Sequence, residues 1–138
     1  MIAIIRIKGL VNVKKDIEET MQRLRLKKKF SCVVVEENKE IEGMIKKIRN
    51  HVTFGKIDDE TLKLLIEKRG RKPGNKLVKK EEIEKIVEEI KNNNIKTIKP
   101  FFRLHPPIKG FKNIKTHYPR GDLGDRKEKI NELLRRMI

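Results

Sequence analysis

Within residues 31–57, SCVVVEENKEIEGMIKKIRNHVTFGKI, the spacing of apolar side chains changes period twice, and few folds accommodate that order. Residues 31–35 form a short β-branched run that ends on Glu36 and Glu37, the pattern of a buried strand emerging into a turn. Ile41, Met44, Ile45 and Ile48 then fall at i, i+3, i+4 and i+7 and make one apolar stripe on a helix, with Lys46, Lys47 and Arg49 opposite. Residues 52–57 return as a strand. Such a helix has one face for a core and another positive enough to attract an anion.

The alternation extends back to the first residue. Residues 2–8 are almost continuously apolar apart from Arg6 and stop at Gly9, as expected for an inner strand. Asp16 and Glu19 have capping-box spacing, and Ile17, Met21 and Leu24 follow at i, i+4 and i+7. A helix is predicted over residues 16–26, closed by Lys27, Lys28 and Lys29, cations suited to a helix C-terminus. Strand, helix, strand, helix, strand over residues 1–57 argues for an α+β unit of two layers, a small sheet with helices packed on one face. The pattern does not fix which strands are neighbours.

From Asp58 the character changes, and residues 58–138 read as a mostly helical and irregular extension. Asp58 caps a short helix over 58–69 that carries Leu62, Leu65 and Ile66. A Pro-Gly turn follows inside residues 68–80, which contain seven basic residues, among them Arg69, Arg71 and Lys72, and no acid. The helix predicted over 80–91 places Ile83, Ile86, Val87 and Ile90 on one face and Glu81, Glu84 and Glu88 elsewhere, so its outer face suits solvent or a basic protein neighbour. It ends at Asn92 to Asn94. A last helix is predicted over 125–137, with Asp125 and Glu128 as a capping box and Ile130, Leu133, Leu134 and Met137 as the stripe that packs back on the core.

Charge decides the class of partner. With 36 Lys and Arg against 20 Asp and Glu in 138 residues, the net charge is +16, which a polyanionic partner would offset. The cations are segregated: residues 21–35 hold no acid, and neither do residues 91–121, where eight cations and four of the six Phe and Tyr side chains gather. In the basic aromatic segment 96–121, Lys109, Lys112, Lys115 and Arg120 suit phosphates, while Phe111 and Tyr118 either stack on an unpaired base or pack. Phe101 and Phe102 fall in a short strand expected over 101–104 and read as core; beyond it the chain reads as extended and irregular. The absence of a helix-turn-helix, zinc-finger or basic-zipper signature favours RNA over DNA.

Catalytic constellations are missing. His51, His105 and His117 are far apart, Cys32 is the single cysteine, and KPGNK is no phosphate loop, so no metal or cofactor is expected. In GDLGDR, Asp125 reads as a helix cap and Asp122 as a turn residue. Cys32, beside three valines, reads as a small buried hydrophobe. No apolar run is long enough to span a membrane, MIAIIRIKG is too short and too charged for a secretory signal, and a cytoplasmic protein is expected.

Five stretches together resemble a known family. IEGMIKKIRNHVTFGKID at 41–58, RLHPP at 103–107, Gly110 with Phe111, GDLGDR at 121–126, and the pattern IN..LLRRM at 130–137 resemble, in that order and end to end, the L-thirty family of large-subunit ribosomal proteins in its archaeal form, whose eukaryotic counterpart is L-seven. The resemblance implies a ferredoxin-like βαβαβ core over 1–57 and an archaeal/eukaryotic-type extension over 58–138. It implies a structural constituent of the large (50S) ribosomal subunit bound to 23S ribosomal RNA, with 5S as a further option, beside neighbouring ribosomal proteins, without catalysis or a small-molecule substrate. Carried over by position, the RNA-facing residues include Lys27, Lys28, Lys29, Lys46 and Arg49, then Arg103, His105, Lys109, Phe111, Lys112, Lys115, His117, Tyr118, Arg120 and Arg126. Arg69, Arg71 and Lys72 join them on charge. Arg120 stands where family members often have glycine. The alternatives are a free-standing RNA-binding protein, which predicts that residues 99–120 are ordered without RNA, and an RNA-modifying enzyme pairing His117 with a carboxylate.

Overall fold

The computed structural model describes residues 1–9, 13–72, 74, 76–92, 97–111 and 113–138. The expected alternation is present as β1 (Ile2–Arg6), α1 (Lys15–Arg23), β2 (Ser31–Val35), α2 (Lys39–Ile48) and β3 (Val52–Lys56). After it come α3 (Asp59–Arg69), a hairpin of β4 (Arg71–Lys72) and β5 (Lys76–Leu77), α4 (Ile83–Lys91) behind a 3-10 turn at Lys80–Glu82, β6 (Phe102–Arg103), β7 (Gly124–Asp125), and α5 (Ile130–Met137) behind a 3-10 turn at Lys127–Lys129. The main sheet has the order β6-β2-β1-β3-β7. β1 is antiparallel to both neighbours, with Ile4 opposite Val33 and Phe54; β6 is antiparallel to β2, and β7 is parallel to β3.

The alternation of side chains along β1 explains the layers. Ile2 and Ile4 pack with Met21, Leu24, Ile45 and Ile48 of the α1–α2 side. Ala3 and Ile5 face the other way, into a cluster with Leu62, Leu65 and Ile66 of α3, Ile86 and Ile90 of α4, and Leu133, Leu134 and Met137 of α5. Residues 1–57 make the two expected layers, and the extension adds a third over the opposite face. A strand apolar on both faces requires this, because the helices of 1–57 cover only one of them. Cys32 lies in the second cluster, fully buried, and burial pushes its thiol pKa up.

Helix starts follow the expected caps at Asn38, whose Oδ1 accepts from Ile41 N at 2.8 Å, and at Asp58, whose Oδ1 accepts from Thr61 N at 2.7 Å. The two capping boxes do not form. Lys14 is the residue before α1, and Asp16 sits inside the first turn, 2.8 Å from Lys47 Nζ. α1 stops short of 26 because Arg25 takes a left-handed φ of 62°. Asp125 is held extended in β7 opposite Phe54, so it cannot cap α5; its Oδ1 accepts from Lys127 N at 2.8 Å instead. In the Pro-Gly turn Gly74 has φ +84°, while Pro73 and Asn75 lie outside the described residues, as do Asn93 and Asn94 at the expected end of the fourth helix.

Candidate nucleic-acid interface

The sheet has two ends, and they differ in charge. At the Ile2 end Glu36, Glu37, Glu40 and Asp58 stand with Lys39 and Lys56; at the Arg6 end stand the loops after β1, before β2 and before β3. Arg6 organises the second end. Its side chain is fully buried and donates only to main-chain oxygens: Nε to Lys8 at 2.9 Å, Nη1 to Leu26 at 2.7 Å and Lys27 at 3.2 Å, and Nη2 to Gly9 at 3.2 Å. Burial lowers its pKa, and the charge of Glu18 opposes that shift. The guanidinium thus ties the two loops together beneath Lys27, Lys28 and Lys29, all three exposed. Phe30 N donates to Arg6 O at 2.7 Å, and Lys29 Nζ lies 5.1 Å from the Phe30 ring centre.

Beside this loop, along the β6 edge, two hollows meet at Phe101 and Arg103. One of about 180 Å³ is lined by Arg69, Arg71, Lys99, Phe101 and Arg103. The other, about 240 Å³, is lined by Arg25, Lys27, Ser31, Pro100, Phe101 and Arg103. Neither has a carboxylate among its lining residues. Lys99 N donates to Arg71 O at 2.9 Å, which sets the α3–β4 corner beside the approach to β6, and Arg71 Nη1 donates to Gly70 O at 2.9 Å. Arg103 Cζ lies 5.3 Å from the centre of the Phe101 ring. Concave, acid-free cationic surfaces of this kind suit phosphate oxygens.

The other expected residues divide into two groups. Lys46 and Arg49 are exposed near the C-terminal end of α2, which runs from the Ile2 end to the Arg6 end. Lys115, His117, Tyr118 and Arg120 are exposed on a loop that is closed, not extended: Asp122 Oδ2 accepts from Asn113 N at 2.8 Å, Asp122 N donates to Asn113 O at 2.8 Å, and Gly121 N donates to His117 O at 2.9 Å. His117 Nε2 is 2.8 Å from Asn50 Oδ1, which docks the loop at the Arg6 end. Lys109 is exposed on the turn that follows the bond from Ile108 N to Arg136 O, 3.0 Å, at the end of α5. Lys112 lies outside the described residues.

Four of the expected residues are engaged within the protein. Arg126 is buried, pairs with the Asp122 carboxylate and donates through Nε to Thr53 Oγ1 at 3.0 Å, so it locks β7 onto β3. Lys72 is engaged by Glu82 at 2.6 Å. His105 has both ring nitrogens 2.7 Å from main-chain oxygens, of Pro106 and Ile138, and belongs to the end of α5. Phe111 is half-buried and stacked on Phe30, ring centres 6.0 Å apart. Of Phe101 and Phe102, both expected in the core, Phe102 is fully buried, and Phe101 is half-buried against the α1–α2 cluster and also lines both hollows. Arg25 and Lys99, which stand in the acid-free tracts, also line the hollows.

The sequence matches a family model described as ribosomal protein L30p/L7e over residues 2–52. Over an alignment 151 positions long the chain is 44% identical to the large ribosomal subunit protein uL30 of Archaeoglobus fulgidus, with 99% of each chain covered. The uL30 of Methanococcus maripaludis is 43% identical over 99% of this chain and 98% of its own. That of Methanosphaera stadtmanae is 40% identical with both chains covered in full. The chain belongs to the L30p/L7e family of ribosomal proteins. The family model covers β1 to the start of β3, while the archaeal relatives align through the extension as well, so the β6 hollows and the 113–122 loop fall within the aligned length. Among the described residues no helix is long and apolar enough to cross a membrane, and no group of His, Cys, Asp and Glu side chains could hold a metal ion.

Proposed function

We propose that the protein is a non-enzymatic structural constituent of the large ribosomal subunit in the cytoplasm, and that it holds ribosomal RNA against the Arg6 end of its sheet. The observation that carries the reading is the acid-free basic surface formed by Lys27 to Lys29 and the two β6-edge hollows, in a chain whose relatives are named large ribosomal subunit proteins. Residues 1–57 are then the family core and 58–138 the archaeal/eukaryotic-type extension. The 23S RNA is the proposed partner, with 5S RNA the alternative, and the acidic outer face of α4, with Glu81, Glu84 and Glu88, is offered to a basic neighbouring protein.

One observation favours a free-standing RNA-binding module: the 113–122 loop is closed by its own hydrogen bonds. Relatedness over the full length of ribosomal proteins weighs more. The modifying-enzyme alternative loses its motivating residue, since His117 meets the amide of Asn50. Sucrose-gradient sedimentation of an extract from the source organism, with the chain followed across fractions in low and high salt, tests the proposal. Co-migration with large subunits that survives moderately high salt is expected; confinement to the light fractions at every salt would sink it.

A further inference from the structure

We propose that Phe101 is the stacking platform for one unpaired RNA base, with the phosphates flanking that nucleotide seated in the two hollows on either side of it; the proposal rests on the RNA-binding reading above and identifies the RNA element that the site takes. The two hollows share only Phe101 and Arg103, so the ring stands as a ridge between two cationic basins. Arg25 and Lys27 belong to one basin, and Arg69, Arg71 and Lys99 to the other. The side-chain alternation of β6 sends Phe102 into the core, which leaves Phe101 and Arg103 together on the opposite side of the strand. Arg103 already lies over the Phe101 ring at 5.3 Å, and a base added to this pair completes a guanidinium–ring–base arrangement that every base can join.

Among the other described rings, Phe30 and Phe111 stack on each other and Phe102 is buried, while Phe54 and Tyr118 line neither hollow. A paired RNA stem offers no base face to a side chain, so the element that fits a ridge between two anion basins is a bulged or looped-out nucleotide.

The test measures binding of deproteinised large-subunit ribosomal RNA from the source organism over a series of salt concentrations. Phe101→Leu keeps an apolar side chain against the cluster it touches but removes the ring face; it should weaken binding roughly 5- to 100-fold with the salt dependence unchanged. Phe101→Trp should restore binding, and this rescue separates loss of stacking from loss of fold. Arg71→Ala should instead flatten the salt dependence by about one phosphate contact, roughly 0.7 in slope on a single strand. In reconstituted large subunits, a benzoylphenylalanine photocrosslinker at position 101 should mark an unpaired nucleotide. Wild-type affinity for Phe101→Leu, or crosslinks confined to paired stems or to protein, would overturn the proposal. Failure of the underlying RNA reading looks different, because the unaltered protein would then not bind the RNA at all.

Discussion

Arg6 and Arg126 are both buried guanidiniums, yet only Arg126 is hydrogen-bonded to a carboxylate. Arg6 is satisfied by four main-chain oxygens and keeps its charge at the basic end. Arg126 forms an interior pair with Asp122, the two side chains 7% and 4% exposed, and Asp122 in turn holds Asn113 N. Breaking such a pair leaves an uncompensated charge, so Arg126→Met should cost about 3–5 kcal/mol in urea unfolding, and replacing both partners should cost less than Arg126→Met alone. An equal or larger loss in the double variant would contradict the pairing. His51 is the residue whose titration should show in stability. Burial, with help from Lys8 and Arg6, lowers its pKa, and its Nδ1 is buried without a partner. The folded state then binds the proton less readily than the unfolded chain, where histidine titrates near about 6.5. Its contribution is complete above that pH and is lost as pH falls below it towards the lowered folded value. Asp58, lowered by its hydrogen bonds to Thr61, acts only in the carboxylate range. Between about pH 7.5 and 5.5, wild-type stability should therefore fall more steeply than that of His51→Asn, and parallel curves would reject the assignment.

Among the elements, the join between β3, β7 and α5 depends on an absent side chain. A Cβ at Gly55 would lie 2.9 Å from Ile130 Cβ and still closer to the main-chain oxygen of Lys127, so the 3-10 turn before α5 approaches β3 only over glycine. Gly55→Ala should cost about 1–3 kcal/mol through overpacking. In hydrogen exchange the loss should appear first at Arg126 N, which donates to Phe54 O at 2.8 Å, and leave the β1–β2 amides protected until global unfolding; uniform loosening would contradict the local account. The same join shows what could be read from the chain beforehand. The five elements of 1–57 were legible because their apolar periods are long and their contacts run within each element. β6 and β7 are two residues each, and their pairing with Ser31 and Thr53 is set by partners about 70 residues away. That leaves strand phase unreadable, and phase decides which of Phe101 and Phe102 is buried. Capping-box spacing likewise cannot distinguish a capping Asp from one inside the first turn, as with Asp16, or from one held in a strand, as with Asp125. Arg126 looked like a ligand contact because nothing local reveals that Asp122 and Thr53 enclose it.

Across the whole molecule the charge is polarised along the strands. α2 runs from the Ile2 end to the Arg6 end, and α5 runs from Asn131, bonded to Lys56 O, to Met137, bonded to His105 N, so Lys46 and Arg136 lie towards the Arg6 end, whereas Arg135 turns back to Glu60, 3.9 Å away in the first turn of α3. The acids of their first turns lie at the other. Dipole complementarity alone explains Lys46, Lys47, Arg135 and Arg136 on their own helices. It does not explain Lys27 to Lys29, which follow a left-handed residue outside any helix, or the hollows lined by Arg25, Arg69, Arg71 and Lys99. If six to ten cations at this end meet phosphates, affinity for large-subunit ribosomal RNA should fall by roughly 10³ to 10⁵ between 50 and 200 mM salt. Replacing Lys27, Lys28 and Lys29 together by alanine should lower the logarithmic salt slope by about 2 to 3, whereas replacing the exposed Lys39 and Lys56 at the Ile2 end should leave it unchanged. Both sets remove surface charge from a chain of net charge +16, so a non-specific attraction to RNA would flatten the slope in proportion to the number of lysines lost, wherever they stand. Unequal slopes per lysine would follow only from an RNA that meets one end of the sheet.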